Sequence, residues 1–139
     1  MAQVKTDAEI EKISKACLVA ADILAELNDH VKVGITTLEL EEMADRLFRE
    51  KGAIPAFKGY RGYRFATCLS INEEVVHGLP GKRVLKDGDI LGVDVGAIVD
   101  GYYGDNAETF PVGKISAAAK RLISATRNAL YPIGSICFL

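Results

Sequence analysis

Apolar residues recur at helical spacing in the first stretch of the chain, at Ile10, Ile13, Cys17, Ala20, Leu24 and Leu27. Thr6, with Glu9 three positions on, has the form of a capping box and marks where this helix starts. Asn28 and Asp29 open a polar exit, and Gly34 falls in the loop that follows. Thr36 and Glu39 repeat the capping pattern ahead of a second apolar stripe, Leu40, Met43, Leu47 and Phe48, which ends near Gly52. Gly59 to Tyr63 reads as a turn or loop, and Ala66 to Asn72 and Val75 to His77 as extended segments. Leu79-Pro80-Gly81 and Lys86-Asp87-Gly88-Asp89 break the chain again. Ile90 to Val99 is rich in β-formers, Asp100-Gly101 is a hairpin turn signal, and Tyr102 to Val112 makes the return strand. Ser116 opens a last helix running to about Tyr131, stopped by Pro132 and Gly134. Two helices, a group of antiparallel strands and a further helix predict an α+β domain, with helices packed on one face of a sheet.

Composition narrows the class without naming a function. The chain has 139 residues, 49% of them hydrophobic, enough for one cored domain or a large piece of one. Its net charge of -2 gives no basic footprint for nucleic acid or an anionic membrane. No apolar run is long enough to span a bilayer. The polar stretch Met1 to Glu11 is unlike a signal peptide. Cys17, Cys68 and Cys137 are odd in number and widely spaced, which suggests neither a disulfide framework nor a zinc pair. A reducing, cytoplasmic location is expected.

The chemistry centres on Asp94 and Asp105, which lie on opposite arms of the hairpin. A two-residue loop at Asp100-Gly101 pairs Asp94 with Ala107 and Gly96 with Asp105. Side chains alternate along a strand, so the two acids sit diagonally on one face, roughly 7–8 Å apart at the backbone. Asp94 is embedded in an apolar strand, where two carboxylates lose solvation and repel each other. A divalent cation removes both costs, and oxygen ligands suit Mn, Fe, Co or Zn. The same spacing also suits two solvated acids near a turn, and a one-residue bulge would put them on opposite faces. His77 closes an extended segment, where it could exchange a proton beside a metal or be an ordinary half-buried histidine. His30, at a helix exit beside Asp29, reads as a surface residue.

Four segments together carry a resemblance. They are Asn72-Glu73-Glu74-Val75-Val76-His77-Gly78-Leu79-Pro80, Lys86-Asp87-Gly88-Asp89-Ile90, Val93-Asp94-Val95-Gly96 and Asp100-Gly101-Tyr102-Tyr103-Gly104-Asp105. As a set, with the spacing from His77 through Asp94 to Asp105, they resemble type I methionine aminopeptidase over nearly all of residues 5 to 131. The resemblance implies the pita-bread fold, two pseudo-symmetric halves around a site for two divalent metals, of which this chain matches the N-terminal half. It implies that Asp94 ligates one metal, Asp105 bridges the pair, and His77 steadies the substrate amide and the tetrahedral intermediate. Tyr60, Tyr63 and Cys68 match positions lining the pocket for the methionine side chain, a role suited to aromatic faces and sulfur. Plain core packing is the other reading of these three. The implied substrates are peptide and nascent-protein N-termini that begin with Met.

The match also has gaps. The family takes one more histidine and two glutamates from its second half. After Asp105 this chain has no histidine, and Glu108 is its only acid. Residues 132–139 depart from the family pattern, as a truncation or frameshift product would, so the expected division is a domain over 1–131 and a tail over 132–139. At Arg64-Phe65 the family commonly has a proline after the aromatic, which leaves the pocket loop open. Half a fold leaves apolar surface and a strand edge uncovered. A two-fold homodimer is one expectation, bringing four carboxylates to a shared centre. A half-domain that binds or self-associates with little catalysis is the other.

Overall fold

The computed structural model describes residues 4–136. Helix α1 (Asp7–Asn28) begins at Thr6, whose side chain accepts from the Glu9 amide while Glu9 reaches back to the Thr6 amide. Helix α2 (Thr37–Glu50) starts with the same reciprocal pair at Thr36 and Glu39. Both satisfy amides that a first helical turn otherwise leaves without partners. Strands β1 (Ile54–Pro55), β2 (Thr67–Ile71), β3 (Ile90–Val99) and β4 (Tyr102–Pro111) form one antiparallel sheet. β3 is its centre. β4 lies along one edge of β3, and β1 and β2 share the other edge, against different parts of its length. Helix α3 (Ala117–Ile136) follows, with Ser116 Oγ accepting from the Ala119 amide.

The hairpin has the register read from the sequence, with Asp94 opposite Ala107 and Gly96 opposite Asp105. Asp100 (φ 52°) and Gly101 (φ 81°) both take positive φ, the backbone of a tight turn whose twist matches the strands it joins. No bulge interrupts the pairing from Ile90 to Val99.

Alternation on β3 divides the molecule in two. Leu91, Val93, Val95, Ala97 and Val99 are buried on one face. There they join Ala16, Ala20, Ile23, Leu24 and Leu27 of α1, and Leu40, Ala44, Leu47 and Phe48 of α2, in one core. Gly104 lets α1 approach β4 closely, since a Cβ there would lie 2.3 Å from the Ala16 carbonyl carbon. The opposite face carries Gly92, Asp94 and Gly96, and neither α1 nor α2 covers it.

Four features differ from the sequence expectation. Val75 to His77 is not a strand. Asn72 (φ 55°) and His77 (φ 58°) turn the chain, and Gly78 with the Glu74 carboxylate takes the hydrogen bonds along the outer edge of β2. α3 runs past Pro132 to Ile136 instead of stopping there. α3 also does not join α1 and α2 on the packed face. Its positions from Ala117 to Leu130 are exposed or half-buried, and it borders a groove along the open face. β1 went unread, being two residues long.

Candidate metal and substrate site

The site begins with what β3 leaves out. Gly92 and Gly96 flank Asp94 on the open face, so no side chain of the strand itself fills the space beside the carboxylate. Asp94 Oδ1 is buried and has no hydrogen-bond partner. Asp105 stands diagonally across on β4, opposite Gly96, and is exposed. Burial, and then the negative charge of Asp105, push the Asp94 carboxyl up to about 6, while His77 pulls the other way. An anion that is part-buried, beside a second anion and short of a donor, gains most from a cation. The pair therefore fits a divalent metal, with Asp94 Oδ1 the oxygen that lacks a partner. Among the described residues no group of three or more His, Cys, Asp or Glu is gathered at one point, so these two carboxylates form one wall of such a site and not a closed cage.

A cavity of about 660 Å3 opens beside the pair. All six residues singled out in the sequence line it: Tyr60, Tyr63, Cys68, His77, Asp94 and Asp105. Cys68 is the direct cross-strand partner of Asp94 and is 4% exposed. Burial raises its thiol above the usual range, and the nearby carboxylates raise it further, so it is a neutral sulfur at pH 7. The Tyr63 hydroxyl donates to the Thr67 carbonyl at 2.8 Å. Its ring meets Phe65 edge-on, with centroids 5.9 Å apart. Burial pushes the Tyr63 phenol well above the ordinary tyrosine range, which also keeps it neutral. Tyr60 is the rim residue, largely exposed, with the Arg61 guanidinium over its ring at 5.5 Å. His77 is exposed and stands between this cavity and a second, larger groove of about 1330 Å3 beneath α3. The cavity is thus acidic at one end, polarizable along its wall, bordered by the Arg61 guanidinium, and open to solvent.

The pocket also uses residues that sequence reading missed. Phe57 and Leu79 complete the apolar wall. Gly96 was the available signal for Phe57, because a Cβ at Gly96 would lie 2.6 Å from the Phe57 ring. A glycine inside a strand marks such a close approach. Glu41 of α2 is the other omission. It is 6% exposed, and its carboxylate accepts from the Ala66 amide, the Thr67 amide at 3.0 Å and the Thr67 hydroxyl at 2.6 Å. It anchors the start of β2, one residue before Cys68. Nothing local marks Glu41 in the sequence, where it reads as one more acid on an amphipathic helix.

A helix-backed antiparallel sheet with an acidic cleft on its bare face is the architecture of the pita-bread metallopeptidases. Residues 11–138 match metallopeptidase family M24, and the chain belongs to that family. It is 50% identical over 127 residues to methionine aminopeptidase 1 of Bacillus subtilis, covering 91% of this chain and 51% of that protein. The crystal structure of methionine aminopeptidase from Thermotoga maritima superposes with a TM-score of 0.91 at 46% identity, covering 95% of this chain and 53% of the other. Prolidase from Pyrococcus furiosus superposes with a TM-score of 0.74 at 26% identity, over 85% of this chain and 34% of the prolidase. The chain thus spans about half the length of the methionine aminopeptidases it matches.

Proposed function

We propose that this chain supplies the substrate pocket and one wall of the metal site of a methionine aminopeptidase, which removes the initiator methionine from peptides and nascent proteins. The observation that carries the reading is the unpartnered buried Oδ1 of Asp94, diagonal to Asp105, in the same cavity as His77, Tyr63 and Cys68. Asp94, with its unpartnered oxygen, and Asp105 would hold the metal. Mn, Fe, Co and Zn all suit the oxygen donors. Bound there, a divalent ion supplies positive charge that polarises a peptide carbonyl and makes water a better nucleophile.

The chain's own residues do the rest. Neutral Tyr63, half-buried, and Cys68, buried, receive the methionine side chain, and thioether sulfur packs well against an aromatic ring and a thiol. Tyr60 closes the outer side of that pocket. The His77 imidazole steadies the substrate amide and the tetrahedral intermediate by hydrogen bonding. Nascent chains as substrates make the cytoplasm the working compartment, and among the described residues no helix is long and apolar enough to cross a membrane.

A peptidase assay on a Met-Ala-Ser peptide with added Co or Mn, beside Asp105→Asn, tests the reading. Calorimetric metal binding that the substitution weakens at least tenfold is expected, with metal-dependent turnover above that control wherever a second copy or partner completes the site. Equal turnover in the two proteins leaves a second reading, a half-domain that binds or self-associates. Its support is the bare sheet face and the exposed Leu122 and Leu130 of α3. A two-fold homodimer would cover these surfaces and bring two copies of Asp94 and Asp105 together. Sedimentation as a monomer at micromolar concentration removes the homodimer.

A further inference from the structure

His77 holds a left-handed backbone conformation (φ 58°) in an exposed stretch. A non-glycine residue keeps such a conformation only where its neighbours are firmly fixed. The fixed neighbour is Gly78. Its N–H donates to Ser70 Oγ at 3.0 Å, and its carbonyl accepts from the Leu69 N–H at 2.9 Å. The loop therefore touches the outer edge of β2 at two places, Glu74 against Ile71 and Gly78 against Leu69 and Ser70, and Gly78 is the one beside His77. The approach is too close for any side chain, since a Cβ on Gly78 would lie 2.3 Å from the Leu69 carbonyl oxygen and 2.7 Å from Ser70 Cα. Gly78 is buried, whereas Asn72 to His77 and Leu79 are exposed. Val75 and Val76 are 91% and 63% exposed, so packing does not hold the approach to His77.

Ser70 is well placed to act as the anchor. It is 8% exposed and pairs with Gly92 of β3, two residues from Asp94 along the same face. The position of β3 is thus passed through β2 and the Ser70 hydroxyl to Gly78, the residue after His77. We propose that Ser70 is a positioning residue: its hydroxyl, through the Gly78 N–H, fixes where the His77 imidazole stands relative to Asp94 and Asp105. The proposal rests on the role given to His77 above. Removing the hydroxyl leaves the Gly78 N–H buried without an acceptor, and such a donor moves toward water. The Leu69 to Gly78 bond remains, so the sheet stays intact while the loop end loosens.

The full chain carrying Ser70→Ala or Ser70→Thr tests this, with the histidine ring Cε1–H resonances as the readout. The chain has two histidines. His30, whose Nδ1 lies 2.9 Å from the Glu26 carbonyl on α1, is the internal reference. In Ser70→Ala the His77 resonance is expected to shift and broaden while that of His30 stays in place, and Ser70→Thr is expected to restore it. With metal and peptide present, kcat is expected to fall about tenfold and KM to change less than about twofold, as for a misplaced but intact group. An unmoved His77 resonance in Ser70→Ala overturns the proposal, whatever happens to turnover. So does a threonine variant that fails to restore it, or a His30 resonance that moves equally, which marks general loosening. A wild-type chain without turnover counts against the peptidase reading and leaves the resonance result to decide on Ser70.

Discussion

The two faces of β3 obey opposite rules. Its odd-numbered residues from Leu91 to Val99 are all apolar and buried against α1 and α2. Its even-numbered residues Gly92, Asp94 and Gly96 offer two missing side chains and a carboxylate with an unpartnered oxygen. One strand thus carries core packing on one side and a buried carboxylate oxygen without a partner on the other, separated only by the alternation of side chains. Rigidity comes from the packed face, and the proposed chemistry belongs to the other. A site held from behind can keep an unfavourable charge arrangement that an isolated hairpin would relax.

The packed face gives the largest effect. Leu91 is fully buried in the core. Leu91→Ala removes apolar contact and leaves a cavity, at a cost of about 2–5 kcal/mol. Urea unfolding should show the loss as a lower midpoint with an unchanged slope. A cost below about 1 kcal/mol would mean that the core is not continuous behind the site, and the division of labour between the faces would fail.

The same contrast governs what was legible in the sequence. Periodicity reports packed faces, so both helices, their capping boxes and the Asp100-Gly101 hairpin were readable, and the turn residues set the diagonal of Asp94 and Asp105. Bare faces are read from chemistry, and there the family resemblance supplied Tyr60, Tyr63 and Cys68. Contacts between distant segments left little trace. Glu41 accepting from Ala66 and Thr67 and Gly78 against Leu69 join residues whose local pattern says nothing of a partner, and Gly96 marks a close approach without saying that Phe57 makes it. The Val75 to His77 segment misled because β-branched residues suit strands, whereas here the edge of β2 is already occupied by Gly78 and Glu74. α3 misled in another way. It was expected with the other helices on one face of the sheet, but its residues through Leu130 do not share the core that α1 and α2 build.

A smaller effect of opposite sign separates the faces more sharply. The Asp94 carboxyl titrates at about 6 in the folded chain, above its ordinary value of 3.8. The folded state therefore holds a proton that the unfolded state releases in this window. Without metal, stability falls as pH rises from about 4 to about 6, and the full cost is present at neutral pH. Asp94→Asn removes that cost. It should stabilise the metal-free chain at pH 7 by about 1–2 kcal/mol, a figure reduced because the carboxylate is only half-buried. The gain should vanish below about pH 4, where both states carry a protonated Asp94. Denaturant midpoints of the two proteins at pH 4 and pH 7, with chelator present, measure it. A variant less stable than wild type at pH 7 would show that the carboxylate supports the fold, and it would then belong with the packed face.

The smallest expected effect concerns α3, and it asks whether the bare side contributes to folding at all. Leu122 is as apolar as Leu91 but 60% exposed, at the edge of the groove that α3 forms with β3 and β4. An exposed leucine has little transfer free energy to lose, so Leu122→Ser should change stability by less than about 0.5 kcal/mol. Association is a different matter. If the groove is where copies of the chain meet, a polar residue at its edge weakens that contact without loosening the monomer. Sedimentation of the wild type and the variant over a range of concentrations separates the outcomes. A shift toward monomer at unchanged unfolding midpoint assigns the groove to self-association. An unfolding loss above about 1 kcal/mol would make α3 a structural member of the core, with its apolar residues serving the same purpose as Leu91.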